Sequence, residues 1–368
     1  MDKNIIDRFM DYVKIESESG NEKHMAKILI KELKDLGLNV KQDKKTKKHH
    51  SNTSNIIAKL ENKNSEKSVV LCAHLDTVKP GKNIEPYIKD GKILSKGETI
   101  LGADDKAGVA IIMDVLSKIK NENINHINLE IIFTVHEEAG LYGAKALDYS
   151  MIESKNAIVL DSSGKVGGIV IKAPSKEKIS ATVKGKASHA GIAPEDGINA
   201  ISVASDAISQ MKLSKIDDDT TANIGTMDGG EATNVVPDKV NVTGEVRSFK
   251  NNKLKRQVDH MEKCIDNSIN KFNAEGKIKK DKLYKGYDLD KDLKLIKDLI
   301  KAGKSANIEM FTRESKGGSD ANIFNANGIK TVNLVIGTQL AHTVDEYIEL
   351  DSLKNVSKIV YNYIKTSE

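Results

Sequence analysis

Val69-Val70-Leu71-Cys72-Ala73-His74-Leu75-Asp76 is the stretch on which the reading of this chain turns. Five apolar residues without polar alternation suit a strand covered on both faces, as in a helix-flanked parallel sheet. The run stops at a histidine and a carboxylate. Three more apolar runs stop in a similar way. Residues 129–135 lead into His136-Glu137-Glu138-Ala139-Gly140, 157–160 into Asp161-Ser162-Ser163-Gly164, and 329–336 into Gly337-Thr338-Gln339-Leu340-Ala341-His342. Residues 55–60 add a further strand. Residues 108–116 are apolar on nearly every side, which predicts a buried helix, and Gly102-Ala103-Asp104-Asp105-Lys106 precedes it. Strands alternating with helices predict an α/β fold in which helices cover both faces of a mostly parallel sheet.

Near residue 175 the texture changes. Residues 179–185 and 239–247 alternate polar and apolar, as half-exposed antiparallel strands do, with helical patterns at about 197–212 and 251–273. After about 285 the first texture returns and closes with a helix over 351–366. With 368 residues, more than one ordinary core needs, the chain predicts two domains. The first comprises residues 1–174 and 284–368; the second is a smaller α+β insertion over 175–283. Two amphipathic helices open the chain, marked by Ile5, Phe9, Val13 and then Met25, Leu29, Leu33.

Composition excludes several classes. Lys+Arg number 57 against 53 Asp+Glu, a net +4 that gives no reason for a nucleic-acid partner. Trp is absent and aromatics are 4%, leaving few platforms on which bases could stack. No stretch approaches a membrane span, and the opening residues lack the apolar core of a signal peptide. Cys72 and Cys264 cannot form a disulfide framework, which predicts a reducing, cytoplasmic setting. Lys44, Lys45, Lys47, Lys48, His49 and His50 read as a solvated loop rather than a metal site, because no carboxylate-rich partner lies near them.

In open α/β sheets functional groups gather beyond the carboxyl ends of the strands. Histidines and carboxylates at four strand ends, and before the central helix, predict a metal centre. Imidazole and carboxylate suit zinc, and two ions need a carboxylate between them. His74 and His342 could each serve one ion, with Asp104 or Asp105 as the bridge. One glutamate of Glu137-Glu138 and Asp161 would complete the shells. Asp76 is placed to accept the second ring N–H of His74, and the other glutamate could serve as general base. Taken singly, each motif has a blander reading as a surface pair, a helix-start charge or a turn. Their joint placement at strand ends favours the centre.

In these residues the chain resembles the two-zinc exopeptidases that include peptidase T, carboxypeptidase G and succinyl-diaminopimelate desuccinylase. The likeness runs in order through Ala73-His74-Leu75-Asp76-Thr77, Gly102-Ala103-Asp104-Asp105-Lys106-Ala107-Gly108, His136-Glu137-Glu138-Ala139-Gly140 and Asp161. It continues through Gly185-Lys186-Ala187-Ser188-His189-Ala190-Gly191, Ala232-Thr233-Asn234-Val235-Val236-Pro237, Glu245-Val246-Arg247, Gly317-Gly318-Ser319-Asp320 and Ala341-His342-Thr343. The wording is most similar to the peptidase T branch.

The resemblance implies that Asp104 bridges two Zn²⁺ ions across a cis bond to Asp105, with His74, Glu138, Asp161 and His342 as the other ligands. It implies Glu137 as general base, Asp76 as the support of His74, and His189 as an oxyanion donor from a lid and dimerisation domain. Arg247, one of four arginines, is implied as the anchor of a substrate carboxylate, a task for which a bidentate fork is suited. Asn234, Lys316 and Gly318 are implied near the substrate; Lys316 stands where the peptidase T pattern has arginine. The function so implied is a two-zinc tripeptide aminopeptidase acting as a homodimer. A carboxypeptidase or N-acyl amino acid deacylase of the same family is the alternative, and a non-catalytic binding protein on this fold is more remote.

Overall fold

The structure, a computed structural model, describes residues 4–43 and 51–366, so the lysine and histidine run at 44–50 lies outside the described residues. The chain divides into two compact units. The first is Met1–Ile171, Asp288–Glu314 and Ser319–Glu368; the second is Lys172–Tyr287 with Ser315–Gly318. Residues 315–318 therefore belong with the second unit, a return that nothing in their short polar sequence announces.

The first unit is built on one mixed sheet. Its strands lie in the spatial order Asn39–Gln42, Ile56–Leu60, Asn128–Thr134, Ser68–His74, Asn156–Ser162, Lys330–Val335 and Gly168–Ala173. The four central pairing partners, from Asn128–Thr134 to Lys330–Val335, are parallel, and the flanks are antiparallel. Parallel character is thus confined to the middle of the sheet, where both faces are covered. That is where the uninterrupted apolar runs lie: Val69, Val70, Leu71 and Cys72 are fully buried.

The buried helix runs Ala103–Glu122, longer than its apolar stretch. It begins after Gly102 at φ 74°, with Asp104 and Asp105 not yet helical. Its close approach to the strand Asn156–Ser162 depends on Gly108. A Cβ there would lie 2.2 Å from the Leu160 carbonyl oxygen and 2.4 Å from Asp105 Oδ1. Gly108→Ala is therefore expected to cost about 3 kcal/mol or more, the upper end of overpacking effects, and to be read in urea unfolding.

The second unit is an antiparallel sheet in the order Ser214–Lys215, Thr220–Gly229, Lys239–Ser248, Ser175–Lys184, Glu275–Tyr284. Ser175–Lys184 buries every second residue, and Ile179, Ala181 and Val183 meet the helices Ala200–Gln210 and Asn251–Lys271. The edge strand Glu275–Tyr284 carries Lys277, Lys279, Lys280 and Lys282, which discourages pairing with another sheet. Among the described residues no helix is long and apolar enough to cross a membrane.

Candidate metal centre

Every ligand candidate of the first unit sits where a buried strand or the central helix begins or ends. His74 is the last residue of its strand, and Asp161 lies one residue before the end of Asn156–Ser162. The N–H of Asp161 donates to Asn333 Oδ1 at 3.1 Å, at the point where the ladder with Lys330–Val335 shifts register. Glu137 and Glu138 occupy a turn after Asn128–Thr134 that passes through left-handed backbone at His136 (φ 56°). Their two N–H groups both donate to Asp76, to Oδ1 at 2.8 Å and Oδ2 at 3.1 Å. That turn, rather than an immediate helix start, lets two adjacent glutamates reach one site.

Among the described residues three groups could each hold a metal ion: His74, Asp104 and Asp161; Asp104, Glu138 and His342; and His74, Glu137 and Glu138. Asp104 is common to the first two, and its two oxygens divide between them. Oδ1 lies 3.2 Å from His74 Nε2, and Oδ2 lies 3.3 Å from His342 Nε2. His342 Nε2 is also 2.9 Å from Glu138 Oε1. His74 is fully enclosed, whereas the His342 side chain is half exposed, so one position is deep and the other faces solvent.

Asp105, the other candidate bridge, turns away. Its Oδ2 accepts the His74 N–H at 3.0 Å and its Oδ1 the Gly108 N–H at 3.1 Å. The Asp104–Asp105 peptide is cis. Asp76 departs from its expected part in one respect. The nearer acceptor of the His74 Nδ1 proton is the Asp76 carbonyl oxygen, at 2.8 Å, while the carboxylate lies 3.4 Å away and holds the glutamate turn.

The charges of the centre fit divalent cations. Four carboxylates (Asp104, Asp161, Glu137 and Glu138) face two imidazoles. Burial, then the facing Asp104, pushes Asp161 up to about 8. Burial pushes Glu137 well above the usual carboxylate range despite the His74 ring. Bonds to Asp104 and Glu138 raise His342 to about 10. Such a cluster gathers protons because it requires positive charge, and nitrogen and carboxylate donors are those a divalent ion of the zinc type takes.

Several contributors carry no sequence pattern. The Ser19 hydroxyl donates to Asp76 Oδ2 at 2.6 Å, and Glu22 accepts the His136 N–H at 3.1 Å. Lys106 is fully buried and donates to the Ile15 carbonyl at 2.5 Å; burial draws its ammonium down to about 7. Glu346 is buried on the backbone around Asp104, and burial pushes its carboxyl up to about 7. Arg313 donates to the Ser163 carbonyl at 3.2 Å, next to the Asp161 strand end.

The second unit holds the remaining predicted residues. His189 is exposed, and its Nδ1 accepts the N–H groups of Gly191 and Ile192 at 3.2 and 3.1 Å. That fixes the neutral ring with its proton on Nε2, an outward donor. The Asn234 carbonyl accepts the Ala190 N–H at 3.0 Å, pairing the two segments. Arg247 Nε donates to Glu245 Oε1 at 2.7 Å and Nη1 to the Lys316 carbonyl at 3.4 Å. Gly318 lies against Tyr284, where a Cβ would come within 2.3 Å of the ring.

Residues 70–366 match the peptidase family M20/M25/M40. The aminopeptidase PepT of Bacillus cereus is 38% identical, with 98% of this chain and 97% of that one aligned at a TM-score of 0.88. A tripeptidase of Staphylococcus aureus is 36% identical over 98% and 97% of the two chains, with a TM-score of 0.93. The uncharacterized protein YqjE of Bacillus subtilis is 37% identical over 99% of this chain and 98% of its own. The chain belongs to the peptidase family M20/M25/M40 and is a metal-dependent hydrolase.

Proposed function

We propose, from membership of this family, that the chain is a two-zinc aminopeptidase that removes the N-terminal residue of short peptides, tripeptides above all. The observation that carries the reading is the sharing of Asp104 between two ligand groups beside the buried Glu137. The likeness to a tripeptidase and to aminopeptidase PepT supports the substrate class. When bound, two divalent ions polarise the scissile carbonyl and acidify the attacking water.

In this reading Asp104, His74, Asp161, Glu138 and His342 are the ligands, and Asp76 orients both His74 and the glutamate turn. Glu137 accepts the proton of the attacking water and returns it to the leaving amine, a task suited to a carboxyl whose proton affinity burial has raised. The Nε2–H of His189 donates to the oxyanion. Arg247, oriented by Glu245, binds the substrate carboxylate, with Asn234, Lys316 and Gly318 beside the peptide. The second unit serves as lid and dimerisation domain. The apolar side chains of Ile192 and Val235, 78% and 42% exposed in the segments around His189, support a homodimer. The two buried free cysteines support a cytoplasmic setting.

The test is a panel of a dipeptide, a tripeptide, the C-terminally amidated tripeptide, its N-acetylated form and an N-succinyl amino acid, assayed with zinc-loaded protein. The free tripeptide is expected to be cleaved at its first bond. Turnover of only the N-acylated compounds would move the protein to the deacylases. Arg247→Ala is expected to raise KM for the tripeptide about 30-fold, the worth of one charge-assisted pair, and to leave the amidated peptide's KM unchanged. Equal losses on both peptides would remove Arg247 from the anchor role.

A further inference from the structure

We propose that Glu346 is a positioning residue of the metal centre, locking the loop that carries His342 to the loop that carries Asp104. The inference rests on the two-metal reading above. Glu346 is buried to 1% exposure, and its carboxylate spans two main-chain donors: Oε2 accepts the Gly102 N–H at 2.6 Å and Oε1 the Asp104 N–H at 3.0 Å. Four residues before it stands His342. The intervening turn carries left-handed backbone at Leu340 (φ 52°) and His342 (φ 66°). It is closed by the Thr343 hydroxyl on the Leu340 carbonyl at 2.7 Å and by the Glu346 N–H on the Thr343 carbonyl at 3.2 Å.

The His342 side chain is half exposed and Leu340 is 58% exposed, so packing does little to set where this turn points. The buried carboxylate at its end is its anchor. The other end of the same tether is the N–H of Asp104 itself, the residue whose two oxygens face His74 and His342. A carboxylate beside a cluster of carboxylates is electrostatically costly, and a position with a purely space-filling part would be better filled by an apolar side chain. What an anion does here that no neutral side chain does is accept two converging N–H donors, one on each oxygen. Glutamine offers a single acceptor, and its NH₂ group would face the second donor. Lys106, fully buried, lies close enough to exert an attraction on Glu346 that offsets part of the cost.

The test compares metal-free full-length wild type, Glu346→Gln, Glu346→Ala and Asp345→Asn by Zn²⁺ titration in competition with a chromophoric chelator. Asp345 is the exposed neighbour and controls for loss of one negative charge on the loop. The expected result is a weakening of the second Zn²⁺ by about 10- to 100-fold in both Glu346 variants, the range for an outer partner of a ligand, with Asp345→Asn unchanged. The melting temperature of metal-free Glu346→Gln is expected to match wild type, and excess Zn²⁺ is expected to restore its tripeptide kcat. Zn²⁺ affinities within twofold of wild type in Glu346→Gln would overturn the proposal, as would a lowered metal-free melting temperature with unchanged affinity. If Glu346→Ala fails to fold, the glutamine variant decides. Failure of wild type to cleave any peptide would sink the functional reading and leave the affinity comparison intact.

Discussion

Glu137→Ala is expected to lower kcat for a tripeptide by about 10⁴-fold, the upper end for loss of a general base, because the same carboxyl handles the proton twice. Two zinc ions per chain are expected to remain. The second part discriminates, since Glu137 also stands in a group with His74 and Glu138 that could hold an ion. If Glu137 were a ligand, metal analysis of the dialysed variant would show fewer than two ions. If it is the base, activity is lost at full occupancy. Glu137→Gln keeps the shape and removes the proton acceptor, so it is expected to behave like the alanine variant; recovery of activity in it would sink the assignment. Burial at 7% exposure, with Asp161 and Glu138 adding their charges nearby, is what gives this carboxyl a proton affinity fit for both halves of the task.

Asp104→Asn is expected to remove more than any other single ligand change. One oxygen faces the His74 group and the other the His342 group, so the substitution strips charge from both at once. The expected result is fewer than one zinc per chain at concentrations that saturate wild type. Activity should fall by about 10³-fold or more, beyond the 10- to 100-fold typical of an outer partner. Asp161→Asn, which touches the first group alone, is expected to leave one ion in place. Equal metal loss in the two variants would show that Asp104 is not shared. Metal analysis by mass spectrometry after gel filtration reads all three proteins.

The centre was legible where the chain states its chemistry in side chains at the ends of apolar runs. Val69–Cys72 could only be a strand with both faces covered, and what followed it had to project from the sheet's edge. The pairing of Asp104 with Asp105 was not separable on spacing alone, because which of two adjacent carboxylates faces the metal side is set by backbone torsion. Glu22, Ser19 and Glu346 were silent for a related reason. Glu22 and Glu346 act on main-chain N–H groups, which every residue but proline possesses, and Ser19 acts on a carboxylate far along the chain, so no local pattern marks them. Glu275–Tyr284 escaped because an edge strand with lysines along it lacks the alternation that announces a buried face. The return of residues 315–318 to the second unit is too short to carry any period at all.

Four loops of the centre are gripped by their backbones: His74 by Asp105, Glu137 and Glu138 by Asp76, Asp104 by Glu346, and His136 by Glu22. A grip on the main chain is indifferent to the side chain it displays. The frame and the lettering on it are therefore separable, and a lineage can rewrite the donors at 138, 161 or 342 while keeping the loops in register. Selection for a different ion, or for none, has a short mutational path on such a frame, because the substitutions need no new scaffold to hold them.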